Sequence, residues 1–364
     1  MREGNRGGAR RETWEIARGA WGALESPQPF HNQRHPCPAD TMTSAQRALG
    51  NSGIFVSPIA MGCWPIAGMT SLNVTEENSL ATLAAAFECG INFFDTAYCY
   101  GAHGESEKLI ARALGSKRDQ IVIATKGGIE WGPDGKQVQD GRPATLRRHC
   151  DESLRRLATD RVELLYLHSP DPRTPVRESA GELKRLMDEG KTRTVGASNV
   201  NVAQLKEFMA ECPVTAVQPH YNLLQREIDE ELLPFCREQG IALCIYWPLM
   251  KGFLSGKLPR DHQFAPGDGR AKYPMFQGEE WTKNHDFLDA LRPIAADAGC
   301  TLSQLVLAWT IRKPGITSAL VGAKRPDQII ENAGALKIEL QPRHFAAIDE
   351  ALKKRGTPVS RRAV

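Results

Sequence analysis

From residue 54 onward, short β-rich apolar runs alternate with longer amphipathic stretches. The runs are Ile54–Met61, Ile91–Phe94, Ile121–Ala124, Val162–Leu167, Thr194–Gly196, Thr215–Val217, Ile241–Tyr246 and Ile316–Leu320. Between most of them, apolar residues recur at helical spacing. Leu80, Leu83, Ala84 and Phe87 fall on one helix face, and Leu146, Cys150, Leu154 and Leu157 on another. Thr301 and Gln304 frame a capping box, which predicts a helix running toward Lys313-Pro314-Gly315. Short buried strands that alternate with helices predict a parallel sheet covered by helices.

The number of runs separates two architectures. Eight strand-helix units close a (β/α)8 TIM barrel in a single domain, and the chain's 364 residues suit one. A doubly wound sheet more often carries a Gly-rich fingerprint after an early strand, and no G-x-G-x-x-G occurs here. Residues 1–41 differ from the rest. They are rich in Arg, Gly, Pro and His without sustained periodicity, so they read as a poorly ordered extension ahead of a barrel domain at 42–364. The stretch 258–285 is rich in Pro, Gly and charge and reads as a long functional or mobile loop.

Polar residues stand just past several strand-like runs. Asp95 ends Ile91-Asn92-Phe93-Phe94, and Tyr100 follows five residues later. Lys126 closes Ala124-Thr125-Lys126-Gly127, and His168 closes Tyr166-Leu167-His168-Ser169. In a parallel barrel, chemistry collects where strands end and βα loops begin. Asp, Tyr, Lys and His delivered in this way form a proton-donating site built around a tyrosine.

Composition narrows the class without naming a reaction. Apolar residues make up 41% and charged residues 24%, with a formal net charge of +3, as in a globular protein with a sizeable core. Basic clusters are short (Lys353-Lys354-Arg355 and Arg361-Arg362), which argues against a nucleic-acid or anionic-lipid partner. No run approaches the roughly 20 apolar residues of a membrane helix. The nine cysteines include no Cys-x-x-Cys pair and mostly sit in apolar settings, so they read as reduced thiols of a cytoplasmic protein. His31, His35 and Cys37 have only loosely ligand-like spacing, and no metal is expected.

Together, Asp95-Thr96-Ala97-Tyr98-Cys99-Tyr100-Gly101, the Lys126 and His168 strand ends, and Val321-Gly322-Ala323-Lys324 with Gln328, Glu331 and Asn332 resemble the aldo-keto reductases. The resemblance covers roughly residues 45–350. It implies a (β/α)8 barrel that reduces aldehydes or ketones with NADPH, with NADH also allowed. Polyol or sugar oxidation is the reverse reaction. The β subunits of voltage-gated potassium channels share the fold, so a nucleotide-binding regulatory or redox-sensing subunit is the rival reading.

The resemblance assigns four catalytic positions, Asp95, Tyr100, Lys126 and His168. A tyrosine hydroxyl, with its pKa near 10, is a weak acid at neutral pH. A nearby ammonium is therefore expected to lower its pKa, with Asp95 holding Lys126 in place and His168 donating to the carbonyl oxygen. The resemblance further implies that Ser198, Asn199 and Gln218 bind the nicotinamide carboxamide while Tyr246 stacks on the ring. Pro248, Leu249, Gly252 and Gly322 join the cofactor set. Lys324 and Gln328 are expected at the adenosine 2′-phosphate, at the start of a helix opened by Pro326, and Glu331 and Asn332 at the adenine. Trp64, Tyr98, Trp131 and Trp247 are expected to line an apolar substrate cleft. Trp247 stands where many relatives carry a small hydroxyl residue.

Overall fold

The computed structural model describes residues 46–68 and 73–359. A barrel strand forms on each of the eight expected runs, on the first only at its end. The strands are β1 (Ile59–Gly62), β2 (Phe93–Asp95), β3 (Val122–Gly127), β4 (Val162–Leu167), β5 (Thr192–Ser198), β6 (Ala216–Gln218), β7 (Ala242–Tyr246) and β8 (Ile316–Gly322). They close one barrel in chain order, with β8 pairing back onto β1, and every neighbouring pair is parallel. Every residue of β3 and β4 is buried, as expected for strands covered on both faces.

Two apolar layers result. Ala60, Phe93, Ala124, Leu164, Tyr166, Ala216, Cys244 and Leu320 fill the barrel interior. A larger layer lies between the strands and the outer helices, among them α1 (Glu76–Glu88), α2 (Glu105–Leu114), α3 (Pro143–Leu157), α4 (Val176–Asp188) and α5 (Val202–Met209). The stripe Leu146, Cys150, Leu154 and Leu157 is buried on α3. On α1 the buried face centres on Leu83 and Ala86, which leaves Leu80, Ala84 and Phe87 half-buried on its flank. The remaining helices are α6 (Leu232–Glu238), α7 (Gly278–Asp297), α8 (Leu302–Arg312), α9 (Pro326–Ala333) and α10 (Pro342–Arg355). The expected capping box at Thr301 and Gln304 opens α8.

Two expectations are corrected. The run Ile54–Met61 is not one strand. Phe55–Val56 pairs antiparallel with Arg47–Ala48, and the chain turns at Ser57-Pro58 before β1 begins. Pro58 has no amide hydrogen for a continuing ladder. Leu49, Ile54 and Val56 of this hairpin join the interior cluster and plug the end at which the strands start. The stretch 258–285 is not wholly a loop either, because α7 begins at Gly278. Its first-turn acids, Glu279 and Glu280, add to the segment's polar composition, yet acids there complement the helix dipole. Phe287, Leu288, Leu291 and Ile294 form the buried side of that helix. Among the described residues, no single helix is long and apolar enough to cross a membrane. The extension at 1–41 and the His31, His35 and Cys37 triplet lie outside the described residues.

Candidate active site

The strand ends bring the four sequence-nominated residues together. Asp95 ends β2, Lys126 lies one residue before the end of β3, and His168 follows β4 directly. Tyr100 sits on the loop between β2 and α2. That loop stays in register with β3, because the Thr96 N–H donates to the Ala124 carbonyl at 2.8 Å and the Tyr98 N–H to the Lys126 carbonyl at 3.0 Å.

Lys126 is the hub. Its Nζ donates to Asp95 Oδ1 at 2.6 Å, to the Thr96 carbonyl at 2.7 Å and to Tyr100 Oη at 3.2 Å. All three of its hydrogens therefore have an acceptor, as a buried ammonium requires. Gln218 of β6 donates to Asp95 Oδ2 at 2.7 Å, so both oxygens of that carboxylate are engaged. An ammonium only donates. Tyr100 Oη thus accepts from Lys126 and keeps its own proton for another acceptor.

The electrostatics correct one expectation. Burial, and next the Asp95 charge, push the Tyr100 hydroxyl well above its ordinary value instead of letting Lys126 bring it down. Burial also pushes the Asp95 carboxyl up, against the pull of Lys126 and Gln218. His168 is driven well below the ordinary histidine value by burial and then by the Lys126 charge, so its ring is neutral. Its Nδ1 lies 3.6 Å from the Cys99 sulfur. Burial pushes that thiol up to about 12, so the sulfur keeps its hydrogen.

A second polar group abuts this one. Tyr246 Oη donates to Asn199 Oδ1 at 2.7 Å, and Asn199 Nδ2 donates to the His168 carbonyl at 3.0 Å and to Ser198 Oγ at 3.1 Å. Ser198 Oγ in turn donates to the Gln218 carbonyl at 2.8 Å. Asn199 holds a positive φ of 58°, which aims its amide back across the ends of β4 and β5. The expected carboxamide residues therefore form one chain ending beside Asp95.

The remaining cofactor positions lie on the loops after β7 and β8. Pro248 and Leu249 lead into a kinked 3-10 segment, Met250–Ser255, in which Gly252 has φ 91°. Gly322 ends β8, and a Cβ there would come within 2.6 Å of Pro65 Cγ. The Lys324 N–H donates to Gln328 Oε1 at 2.9 Å, across the first turn of α9. Burial, followed by Arg325 and Arg270, holds the Lys324 ammonium below the usual lysine value. Several cations crowded at a helix N-terminus suit a phosphate group. Glu331 is ion-paired with Lys257, and Asn332 is buried in α9.

The aromatic residues divide. Trp64 meets the Tyr100 ring edge-on at 4.9 Å, and Trp131 donates to the Cys99 carbonyl at 2.8 Å. Trp247, at a positive φ of 60°, packs edge-on against His220 and Tyr273. Tyr98 does not join them. Its hydroxyl donates to Glu152 Oε2 at 2.8 Å and its ring stacks on His149 at 3.7 Å, both on α3. Tyr98 therefore faces α3 and not the expected substrate cleft.

Two residues near the site, Gln137 and Lys251, were not anticipated. A small hairpin, Ile129–Trp131 with Gln137–Gln139, carries Trp131 and Gln137 to Cys99. The turn text Gly132-Pro133-Asp134-Gly135 between them was an available signal. Lys251 lies 4.1 Å over the Trp247 ring, and nothing in its local sequence marks it.

The chain is similar to several known proteins. The sequence profile of the Aldo/keto reductase family matches residues 58–353. An aldo-keto reductase of Bacillus subtilis, YhdN, is 34% identical over 285 residues, covering 78% of this chain and 86% of its own. The NADH-specific methylglyoxal reductase of Escherichia coli is 35% identical over 307 residues, or 80% of this chain and 93% of its own. The solved structure of the glycerol dehydrogenase AKR11B4 from Gluconobacter oxydans superposes with a TM-score of 0.81 at 31% identity, covering 89% of this chain and all of that one.

Proposed function

The chain belongs to the aldo/keto reductase family, as an NAD(P)H-dependent oxidoreductase on a (β/α)8 barrel, and from that premise we propose that it is an NADPH-preferring reductase of small aldehydes or ketones. The observation that carries this reading is the Lys126 ammonium, bonded at once to Asp95 and to the hydroxyl of Tyr100.

Reduction of a carbonyl needs a proton at the oxygen as negative charge develops there. Tyr100 supplies it. Its hydroxyl stays protonated across the working range, because burial and Asp95 hold its pKa high. Lys126 approaches the same oxygen and stabilises the phenolate left after transfer. Neutral His168 is the second donor to the carbonyl oxygen. Asp95 and Gln218 keep Lys126 fixed, so no reorganisation is needed during the step.

The donor set fits a nicotinamide dinucleotide. Ser198, Asn199, Gln218 and Tyr246 would hold the nicotinamide, and Lys324 and Gln328 the adenosine phosphate. When bound, the reduced cofactor supplies the hydride. Trp64, Trp131 and Trp247 give the cleft aromatic walls suited to an apolar or sugar-derived carbonyl compound. The Escherichia coli relative is named NADH-specific and the Gluconobacter one acts on glycerol, so a test must include both nucleotides and the alcohol direction.

An aldehyde, ketone and polyol panel read by nicotinamide absorbance tests the reading. Tyr100→Phe should cut turnover by about 10²–10⁴-fold while nucleotide affinity is retained. A Phe variant within a few-fold of wild type would remove Tyr100 from this role.

A further inference from the structure

Arg156, near the end of α3, reaches away from its own helix toward the loop that carries Tyr100. Its side chain is only 17% exposed. One terminal nitrogen, Nη1, donates to the Tyr98 carbonyl at 3.0 Å and to Glu107 Oε2 at 3.2 Å. The guanidinium also lies 4.3 Å over the Tyr98 ring. The chain leaves room for it. A Cβ on Gly104, which has φ 73°, would come within 2.5–2.6 Å of Arg156 Cδ, Nε and Nη1.

Each partner leads to the reacting pair. The Tyr98 peptide is tied at both ends, because its N–H donates to the Lys126 carbonyl while its C=O accepts from Arg156. Tyr100 lies two residues further along the same loop. Glu107, on α2, is wholly buried, and its second oxygen accepts from Thr125 Oγ1 at 2.7 Å. Thr125 directly precedes Lys126. One guanidinium therefore grips the loop that places Tyr100 and, through Glu107, the strand that places Lys126.

We propose that Arg156 is a positioning residue for the proton transfer, setting the spacing between Tyr100 and Lys126 from outside the barrel through the Tyr98 carbonyl and the Glu107–Thr125 link. The inference rests on the reading of Tyr100 as proton donor. While Nη1 serves the carbonyl and Glu107, Nη2 donates to Glu152 Oε2 at 3.4 Å, and a lysine ammonium, a single nitrogen on a flexible stem, does not reproduce that planar two-nitrogen arrangement. The same contacts explain why Tyr98 faces α3 and not the cleft.

The test compares R156Q, R156K and T125V with wild type in kcat, KM, nucleotide dissociation constant and thermal midpoint. Misplacing a reacting group by about 1 Å costs up to about 10²-fold, so R156Q should lower kcat by about 10- to 100-fold. Its KM and nucleotide affinity should stay within about twofold of wild type, because no binding group is touched. R156K should recover only part of the rate. A folded R156Q with kcat within twofold of wild type overturns the proposal, and a loss confined to the thermal midpoint shows a purely structural residue. If R156Q does not fold, T125V decides. It removes only the Glu107–Thr125 bond, and an unchanged kcat there overturns the proposal equally. Tyr100→Phe, measured alongside, separates the two readings. If Phe is active, the proton-donor assignment fails; if Phe is inactive while R156Q or T125V turns over normally, only the positioning role fails.

Discussion

Gln218 and Asp95, 123 residues apart in the chain, share the hydrogen bond that completes the buried carboxylate. Gln218 Nε2 takes Oδ2 at 2.7 Å while Lys126 takes Oδ1 at 2.6 Å. The contact joins the cofactor-side residues to the proton-donating group, so loss of one should be felt by the other.

Gln218→Leu should therefore destabilise the protein although it adds apolar volume to a buried place. It strips a partner from a carboxylate that burial already pushes up. Leaving a buried charged group short of a partner costs about 1–3 kcal/mol or more. Urea unfolding at neutral pH checks this, and an unchanged midpoint would mean that Asp95 finds another donor.

The barrel strands were legible because burial on both faces demands continuous apolar runs, and turns punctuate them. Asp95, Lys126 and His168 were legible because each stands at the end of such a run, and Tyr100 because it follows Asp95 on the next loop. What escaped depends on contacts distant in sequence. Nothing near Tyr98 says that it turns toward α3, since Arg156, 58 residues away, holds its carbonyl. The high pKa of Tyr100 was missed for a related reason. Sequence placed a lysine beside it but not the burial and the Asp95 charge that prevail. The Ile129–Trp131 and Gln137–Gln139 hairpin escaped because its strands are three residues long and the second is exposed at every position, with no buried periodicity.

His149 predicts a pH dependence. Burial holds it at about 4, and its Nδ1 accepts from the Gly128 N–H at 3.1 Å, which protonation would break. In the unfolded chain a histidine titrates near 6.5. Below that pH the unfolded state gains a proton that the folded state refuses, so stability falls as pH drops from about 6.5 toward 4 and then levels off. Between pH 7.5 and 5 this one residue should cost about 2 kcal/mol. Urea midpoints of wild type and His149→Gln at both pH values isolate the term. Equal pH slopes in the two proteins would show that His149 does not carry it.

Gly196 in β5 has no room for a methyl group. A Cβ there would sit 2.5 Å from the Tyr166 ring and 2.6 Å from the Ala216 carbonyl. The ring is wholly buried inside the barrel and the carbonyl belongs to the neighbouring strand, so neither yields easily. Gly196→Ala should cost about 1–3 kcal/mol by overpacking. Adding Tyr166→Leu should recover part of that loss but not all, since the backbone clash persists. Full recovery in the double variant would assign the whole strain to the ring.

Cofactor choice tests the cation cluster at the start of α9. Lys324 stands beside Arg325, and Arg270 from the β7–α7 segment lies close enough to depress its ammonium further. Arg325 pairs with Asp327 at 2.9 Å and Arg270 with Asp268 at 2.6 Å. Lys324, whose N–H is fastened to Gln328 across the first turn of α9, is the residue that the family resemblance assigns to an added 2′-phosphate. One charge-assisted contact is worth about 1.5–3 kcal/mol, or about 10- to 150-fold in affinity. Lys324→Ala should weaken NADPH by that factor and NADH far less. The penalty should shrink at higher ionic strength, because the site is open to solvent ions. Dissociation constants for both nucleotides at two salt concentrations decide it. An equal loss for both would make Lys324 a support for the loop that Gln328 fastens, and would move any NADPH preference to Arg270 or Arg325.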